Sequence, residues 1–501
     1  MFKELTKVFG ETIIYGVTGV VSTLASVFLV PIYTRILTPT EYGVSDLLVT
    51  LFAIIAVVSN MGMSSAIFYT YFKAKDEGQK RAVLGTSLIF QTLFPFLISI
   101  VVFLLSYRIS RVLFGQEGFA NLVFISAITL FFNVGSGTPL GVLRAQGNPK
   151  KYVTVTMIKL ISTILVSITL VVGFRFGLLG VFVGNLLGNL LGYVAGLVAI
   201  FPSISLEFSK HWFMELIRFG APMMPAGLAM WALNSSDRYF LNAFASTADV
   251  GIYNVGYRVG TLVVLVTSAL QLAYPRFMFS IYHNNPNPKE YFKKINTYFY
   301  LLTFTFALAL SIFSKEAITV LTGGAFHSAY SVVPLIAFSY VFYGLFNNFG
   351  TGVSVTAKTY LSTFAVLIAG GINLVLNYAL ISRFGMMGAA LATFLSFLFL
   401  AIAELFFSQR VYPIKFEFKR LITISIVGGS LAYLATLVDF DLVPSLLVKA
   451  ILLSAFPVLL YLFGFLEENE LKKLFQVWGT VKKARFRPKL VWDSIRQEMI
   501  S

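Results

Sequence analysis

The chain of 501 residues contains no cysteine, which excludes disulfides, thiolate metal sites and cysteine nucleophiles together. Charge is scarce as well. Charged residues make up 12% of the sequence against 57% hydrophobic ones, and a soluble globular protein carries about twice that share of charge. Only three histidines occur, His211, His283 and His327, in or near separate loops and with no spacing that converges on a metal. No glycine loop followed by Lys and Ser/Thr is present, so ATP is not expected to drive the protein directly. The only Asp-x-Asp, Asp439-Phe440-Asp441, lies in a short outer loop. A metal-dependent glycosyltransferase would need that pair plus an acceptor-binding domain, and the loops leave no room for one. Neither an enzyme nor a bound cofactor is expected.

What the chain has in abundance is apolar runs of roughly 20 residues, the length that crosses a hydrocarbon core as a helix. They place helices at about 12–36, 43–69, 83–107, 120–143, 152–174, 177–200, 215–236, 249–275, 295–314, 328–349, 359–381, 385–408, 420–438 and 445–465. The first run lacks a small-residue cleavage site and ends in Pro31 and Arg35, so it reads as a retained helix. The fold class is an all-α polytopic membrane protein with about fourteen transmembrane helices.

The loops between these helices are alternately rich and poor in Lys and Arg. With the N-terminus inside, the inner segments take 28 of the 38 bases, among them Lys3, Lys7, Arg144, Arg276 and eight in the tail after Leu471. The outer loops and their edges take seven: Arg35, Arg108, Arg111, Arg175, Arg238, Lys315 and Arg383. Lys159, Arg258 and Lys449 fall within spans. This split follows the positive-inside rule and predicts two cytoplasmic termini. The net charge of +16 is spread over many short loops, a pattern that suits anionic membrane lipid and excludes nucleic acid as a partner.

A repeat appears at a constant offset of 208 residues. Lys150, Tyr152, Arg175, Phe176, Gly177 and Gly180 recur as Lys358, Tyr360, Arg383, Phe384, Gly385 and Gly388, and Thr38, Glu41 and Gly43 recur as Ser246, Asp249 and Gly251. The unit is six helices, an even number, so both copies share one orientation. Such a parallel repeat is typical of secondary transporters that open a cavity to alternate sides. The expected layout is an N-lobe over 1–205, a C-lobe over 206–410, an appended helix pair over 411–468 and a basic cytoplasmic tail over 469–501. The two parallel six-helix lobes enclose a central cavity.

Polar side chains in spans should face the bundle interior. Helix 1 carries Tyr15, Thr18, Ser22 and Ser26 in one stripe, and helix 5 carries Thr156, Lys159, Ser162, Thr163 and Ser167. Helix 2 offers Asp46 and Asn60, and helix 8 offers Asn254, Arg258 and Thr261. The hydroxyl stripes have two readings, a cavity lining or close helix packing. Arg258 either serves the cavity or pairs with Asp237 or Asp249, and Lys159 either lines the cavity or snorkels to the inner interface. Pro222 and Pro225 predict a bend or a late start in helix 7.

Pro31-Ile-Tyr-Thr-Arg35-Ile-Leu-Thr-Pro39-Thr-Glu41-Tyr-Gly43 and Asn60-Met-Gly62-Met resemble the opening signature of the bacterial polysaccharide flippases in the multidrug/oligosaccharidyl-lipid/polysaccharide exporter superfamily. Ser236-Asp237-Arg238-Tyr-Phe-Leu and Val250-Gly251-Ile-Tyr253-Asn-Val-Gly-Tyr257-Arg258 are similar to the signature of its second lobe. The resemblance implies that an undecaprenyl-diphosphate-linked oligosaccharide crosses from the inner to the outer leaflet of the bacterial cytoplasmic membrane. A peptidoglycan-precursor flippase and a cation-coupled multidrug antiporter of the same superfamily are the alternatives. The expected substrate-binding residues are Arg258, Asn254, Lys159, Arg35, Arg238, Ser22 and Asn60. Asp46 and Asp237 are the expected coupling residues for a proton or sodium ion. A polysaccharide polymerase and assembly proteins are the expected protein partners.

Overall fold

The computed structural model describes residues 18–204, 207–438, 440–466 and 470. Lys3, Lys7, Tyr15, Asp439 and the basic tail lie outside the described residues, and so does the side chain of Arg276. All regular structure among the described residues is helical. Among the described residues eleven helices are long and apolar enough to span a membrane, or up to 13 if each of two bent pairs is one span.

In chain order the spans are α1 (Thr18–Ile36), α2 (Pro39–Lys73), α3 (Glu77–Leu104), α4 (Ala120–Ala145), α5 (Pro149–Gly173), α6 (Gly177–Ile200) and α7 (Lys210–Ser235). Then come the bent pairs α8 (Thr247–Gly260 with Val263–Gln271) and α10 (Gly324–Ser331 with Val333–Val355), with α9 (Pro288–Ile312) between them. The 52-residue helix Tyr360–Val411 leaves helical geometry at Gly385, φ 52° and ψ −130°. Fifty-two residues would reach about 78 Å, more than twice a hydrocarbon core. That helix is therefore two spans, α11 (360–384) and α12 (386–411), and the total becomes fourteen. Residues 1–416 form one compact unit. The second unit, 417–501, holds α13 (Phe418–Thr436) and α14 (Leu442–Leu462), with Arg420 paired to Glu417 at 3.0 Å and to Glu470 at 2.9 Å.

Several of the repeated residues do the same work in both copies. Thr38 caps α2 and Ser246 caps α8, each accepting from the backbone N–H of the acidic residue three positions on, Glu41 or Asp249. This is the capping geometry that saturates a helix start. Gly43 and Gly251 pack against the opposite helix: a Cβ on Gly43 would lie 1.8 Å from the Thr247 carbonyl oxygen, and one on Gly251 2.0 Å from that of Pro39. Since 39 and 247 also differ by 208, the contact is reciprocal, as a two-fold relation requires. Gly177 and Gly385 share a left-handed turn, φ 54° and 52°. The turns that precede α5 and α11 correspond differently, because the left-handed residue is Gly147 in one and Ala357 in the other, two residues out of register with the offset.

One buried apolar core unites the two copies at the end that carries the α1–α2 and α7–α8 connections, where Val30, Tyr42 and Leu48 meet Val255, Val259 and Phe326. The expected division near residue 205 is crossed by the first half of α7, whose Leu216 packs on Met63, Ala66 and Ile67 of α2. Further along, Ala221–Met223 form a 3-10 turn where the prolines begin, a local interruption within the span Lys210–Ser235, which starts earlier than the expected 215 and not late. Facing it, α2 breaks at Met61 and Gly62, φ 46° and 70°, and Cβ atoms on Gly62 or Gly220 would lie 2.4 and 2.5 Å from the opposing carbonyl oxygens.

Candidate functional site

Asp46 sits seven residues into α2, about 10 Å below its start at helical rise. Arg238, expected at an outer edge, is instead only 4% exposed on the short helix Asp237–Phe244, because the backbone stays helical through Ser236 (φ −67°, ψ −29°) and no loop forms there. Its Nη1 lies 2.7 Å from Asp237 Oδ1 and its Nε 3.4 Å from Asp46 Oδ2. The guanidinium also lies over the Tyr257 ring, 4.0 Å from the centroid. Tyr253 donates to Asp237 Oδ2 at 2.6 Å and Thr393 at 3.4 Å. Beside them Ser236, Asn373, Asn377 and Ser396 form a buried hydrogen-bonded chain, in which Asn377 Oδ1 has no partner among the described residues.

This cluster contains two carboxylates and one guanidinium. Burying ionised groups is costly unless charges balance, and around the one guanidinium the cluster offers carboxylate, hydroxyl and amide oxygens. The Arg238–Asp46 pair also ties α2 to the second copy. Trp231 adds to the tie by donating to the Thr50 carbonyl at 2.9 Å.

The remaining predicted residues do not converge on one site. Arg258 is half-buried just before the 44° bend of α8; its Nε donates to Asn254 Oδ1 at 2.7 Å and its Nη1 to the Ser26 carbonyl of α1 at 3.4 Å. It pairs with neither Asp237 nor Asp249. Ser22 donates back to Thr18 O, one turn from Ser26. Arg35 is exposed and reaches the Val320 carbonyl. Asn60 lies beside the α2 break, its carbonyl accepting from Gln91. Lys159 does not snorkel: α5 starts three residues earlier than expected, and the ammonium reaches Asn133 Oδ1 of α4, an exposed side chain, at 2.8 Å. In the helix 5 stripe, Thr163 and Ser167 pack against Gly188 and Gly184 of α6, which is the close-packing reading.

A groove of about 680 Å³ opens between α2, α4 and α7, walled by Phe68, Tyr69, Phe72 and Phe219 with Ser64 and Ser65 at its floor. Tyr69 and Phe219 stack at 4.3 Å. Two bases line it. Lys73 is paired to Glu215 at 2.6 Å, whereas Arg144, on the last turn of α4, is exposed and makes no side-chain hydrogen bond or ion pair among the described residues. In the sequence Arg144 is an inner-loop base and opens the family-like run Arg144-Ala-Gln-Gly147-Asn-Pro149, and it is not among the expected substrate-binding residues. Its helical position and the aromatic wall opposite it come from tertiary packing.

A family model described as "Polysaccharide biosynthesis protein" matches residues 32–331. The probable low-salt glycan biosynthesis flippase Agl15 of Haloferax volcanii is 25% identical over 211 residues, 41% of this chain and 45% of that protein. The uncharacterized membrane protein MJ1068 of Methanocaldococcus jannaschii is 24% identical over 158 residues, 31% of this chain and 29% of that protein. The matches thus span less than half the length of these relatives. Among solved structures, the lipid II flippase MurJ in an inward closed conformation superposes with a TM-score of 0.70 at 16% identity, covering 91% of this chain and 98% of that one. An inward-facing multidrug resistance MATE transporter of the MOP superfamily gives 0.65 at 15% identity, covering 78% and 94%. These likenesses establish a shared fold with flippases and transporters. The family model spans well over half of the chain, and this protein belongs to the polysaccharide biosynthesis protein family.

Proposed function

We propose that the protein moves an undecaprenyl-diphosphate-linked oligosaccharide from the inner to the outer leaflet of the cytoplasmic membrane by alternating access. The observation that carries this reading is the groove that ends in Arg144. An unpaired guanidinium suits a diphosphate because its planar fork meets two oxygens at once, and an aromatic wall suits sugar rings. The volume of about 680 Å³ falls in the range of small-molecule sites, enough for a head group and its first sugars while the lipid tail stays in the bilayer. A cationic drug would meet the wrong charge there.

The opposite end is sealed by the shared core and by the Gly43 and Gly251 contacts. In our reading that end faces outward. Uptake of a proton or sodium ion at the Asp46–Asp237–Arg238 cluster weakens the Arg238–Asp46 tie and lets the seal part. Parting also frees Arg258 from Ser26, so it can receive the diphosphate that Arg144 releases.

Export of the lipid-linked glycan in cells tests this. Arg144→Ala should lower it at least tenfold at matched protein level, and Arg144→Lys should recover part, since an ammonium keeps the charge but not the fork. Undiminished export in Arg144→Ala would reject the groove as the head-group site.

A further inference from the structure

A second cavity, of about 360 Å³, lies inside the first copy between α2, α4, α5 and α6. We propose that it is a monovalent-cation site which the chain fills with its own Lys159 ammonium. The argument rests on where the hydrogens go. Ser126 and Thr129 donate to the Leu122 and Ile125 carbonyls of their own helix, at 2.7 and 2.8 Å. Asn185 and Asn189 spend an amide N–H in the same way, on Val181 O at 3.0 Å and Asn185 O at 2.8 Å. A carbonyl can only accept, so those amide nitrogens face the helix and the oxygens are left for the cavity. Asn189 Oδ1 is fully buried with no hydrogen-bond partner among the described residues.

Against this set of neutral oxygens stands one cation. Lys159 lies ten residues into α5, about 15 Å along it, near the middle of a hydrocarbon core of about 30 Å. Gly192 of α6 makes room for its stem: a Cβ there would lie 2.7 Å from Lys159 Cβ. The ammonium reaches Asn133 Oδ1 at 2.8 Å, and no other titratable side chain lines the cavity. Neutral oxygens without a carboxylate form the donor set that holds a monovalent cation in a membrane protein. With the ammonium resident, this copy needs no free ion. Without it, the oxygens should take sodium.

The test uses the purified full chain and thermal unfolding in sodium chloride against choline chloride at equal ionic strength, so it is independent of any cargo. Lys159→Ala should gain a saturable sodium-dependent rise in Tm at least about 2 °C larger than that of the wild type. Lys159→Met, which keeps the stem's bulk, should gain it too, whereas Lys159→Arg should match the wild type. If Lys159→Ala folds only in sodium, the proposal holds. It is overturned if the sodium response of Lys159→Met equals that of the wild type, or if choline stabilises the variants equally.

Discussion

Arg238 governs the two carboxylates that share it, and its loss has a calculable consequence. Arg238→Ala leaves Asp46 and Asp237 buried without a counter-charge, which costs roughly 3–5 kcal/mol for a broken buried pair. A lowered Tm and a poor yield of folded protein are expected, and adding Asp237→Asn should restore part of the loss. A double-mutant cycle on Tm reads this out; additive losses would mean that the pair is not coupled. Both residues stood out in the sequence as part of a motif. Their burial did not, because Arg238 ends a polar stretch that reads as a loop, whereas the backbone stays helical through Ser236 to Phe244. Tyr253 and Tyr257 flanked Arg258 in the same motif, yet their partners Asp237 and Arg238 come from a different helix.

At the scale of elements, glycine decides which helices touch. On α6, Gly184, Gly188 and Gly192 recur every fourth residue and receive Ser167, Thr163 and Lys159 of α5 in turn. Small residues at that spacing let membrane helices approach to backbone contact. A Cβ on Gly188 would lie 1.9 Å from Thr163 Oγ1, whereas one on Gly371 meets nothing within 4 Å. Gly188→Ala should therefore lower Tm by several degrees and Gly371→Ala should not, as a thermal unfolding series can establish. The four-residue glycine period is present in the sequence, but nothing local says which neighbouring helix it receives. The 3-10 interruption of α7, by contrast, falls where Pro222 and Pro225 mark it in the sequence.

For the whole molecule, the absence of cysteine gives a clean background for labelling. Gly43→Ala forces a methyl group against the Thr247 carbonyl, so it should part the seal. In a Leu47→Cys chain, whose residue 47 is fully buried, a membrane-impermeant maleimide should label slowly, and Gly43→Ala should speed labelling from outside. Equal rates would show that the seal does not depend on this contact. The charge split predicts that reporters fused after Lys75, Gly147, Asn287 and Tyr412 read cytoplasmic, and those near Gly115 and Thr322 external. Reversal at two or more sites would overturn the topology.

The sequence by itself determined the class, the number of spans and the repeat, because these follow from local quantities: run length, loop charge and residues at a constant offset. Thr38 and Glu41 with Ser246 and Asp249 are helix-cap chemistry written within four residues, and it survives folding unchanged. Tertiary structure alone decided which polar groups meet. Arg258 found Asn254 and Ser26, Arg238 found Asp46, Lys159 found Asn133, and Arg144 was left facing the groove. Each of these outcomes depends on which face of a helix turns toward which neighbour, and a charge in a span announces only that it needs a partner, not where the partner will be.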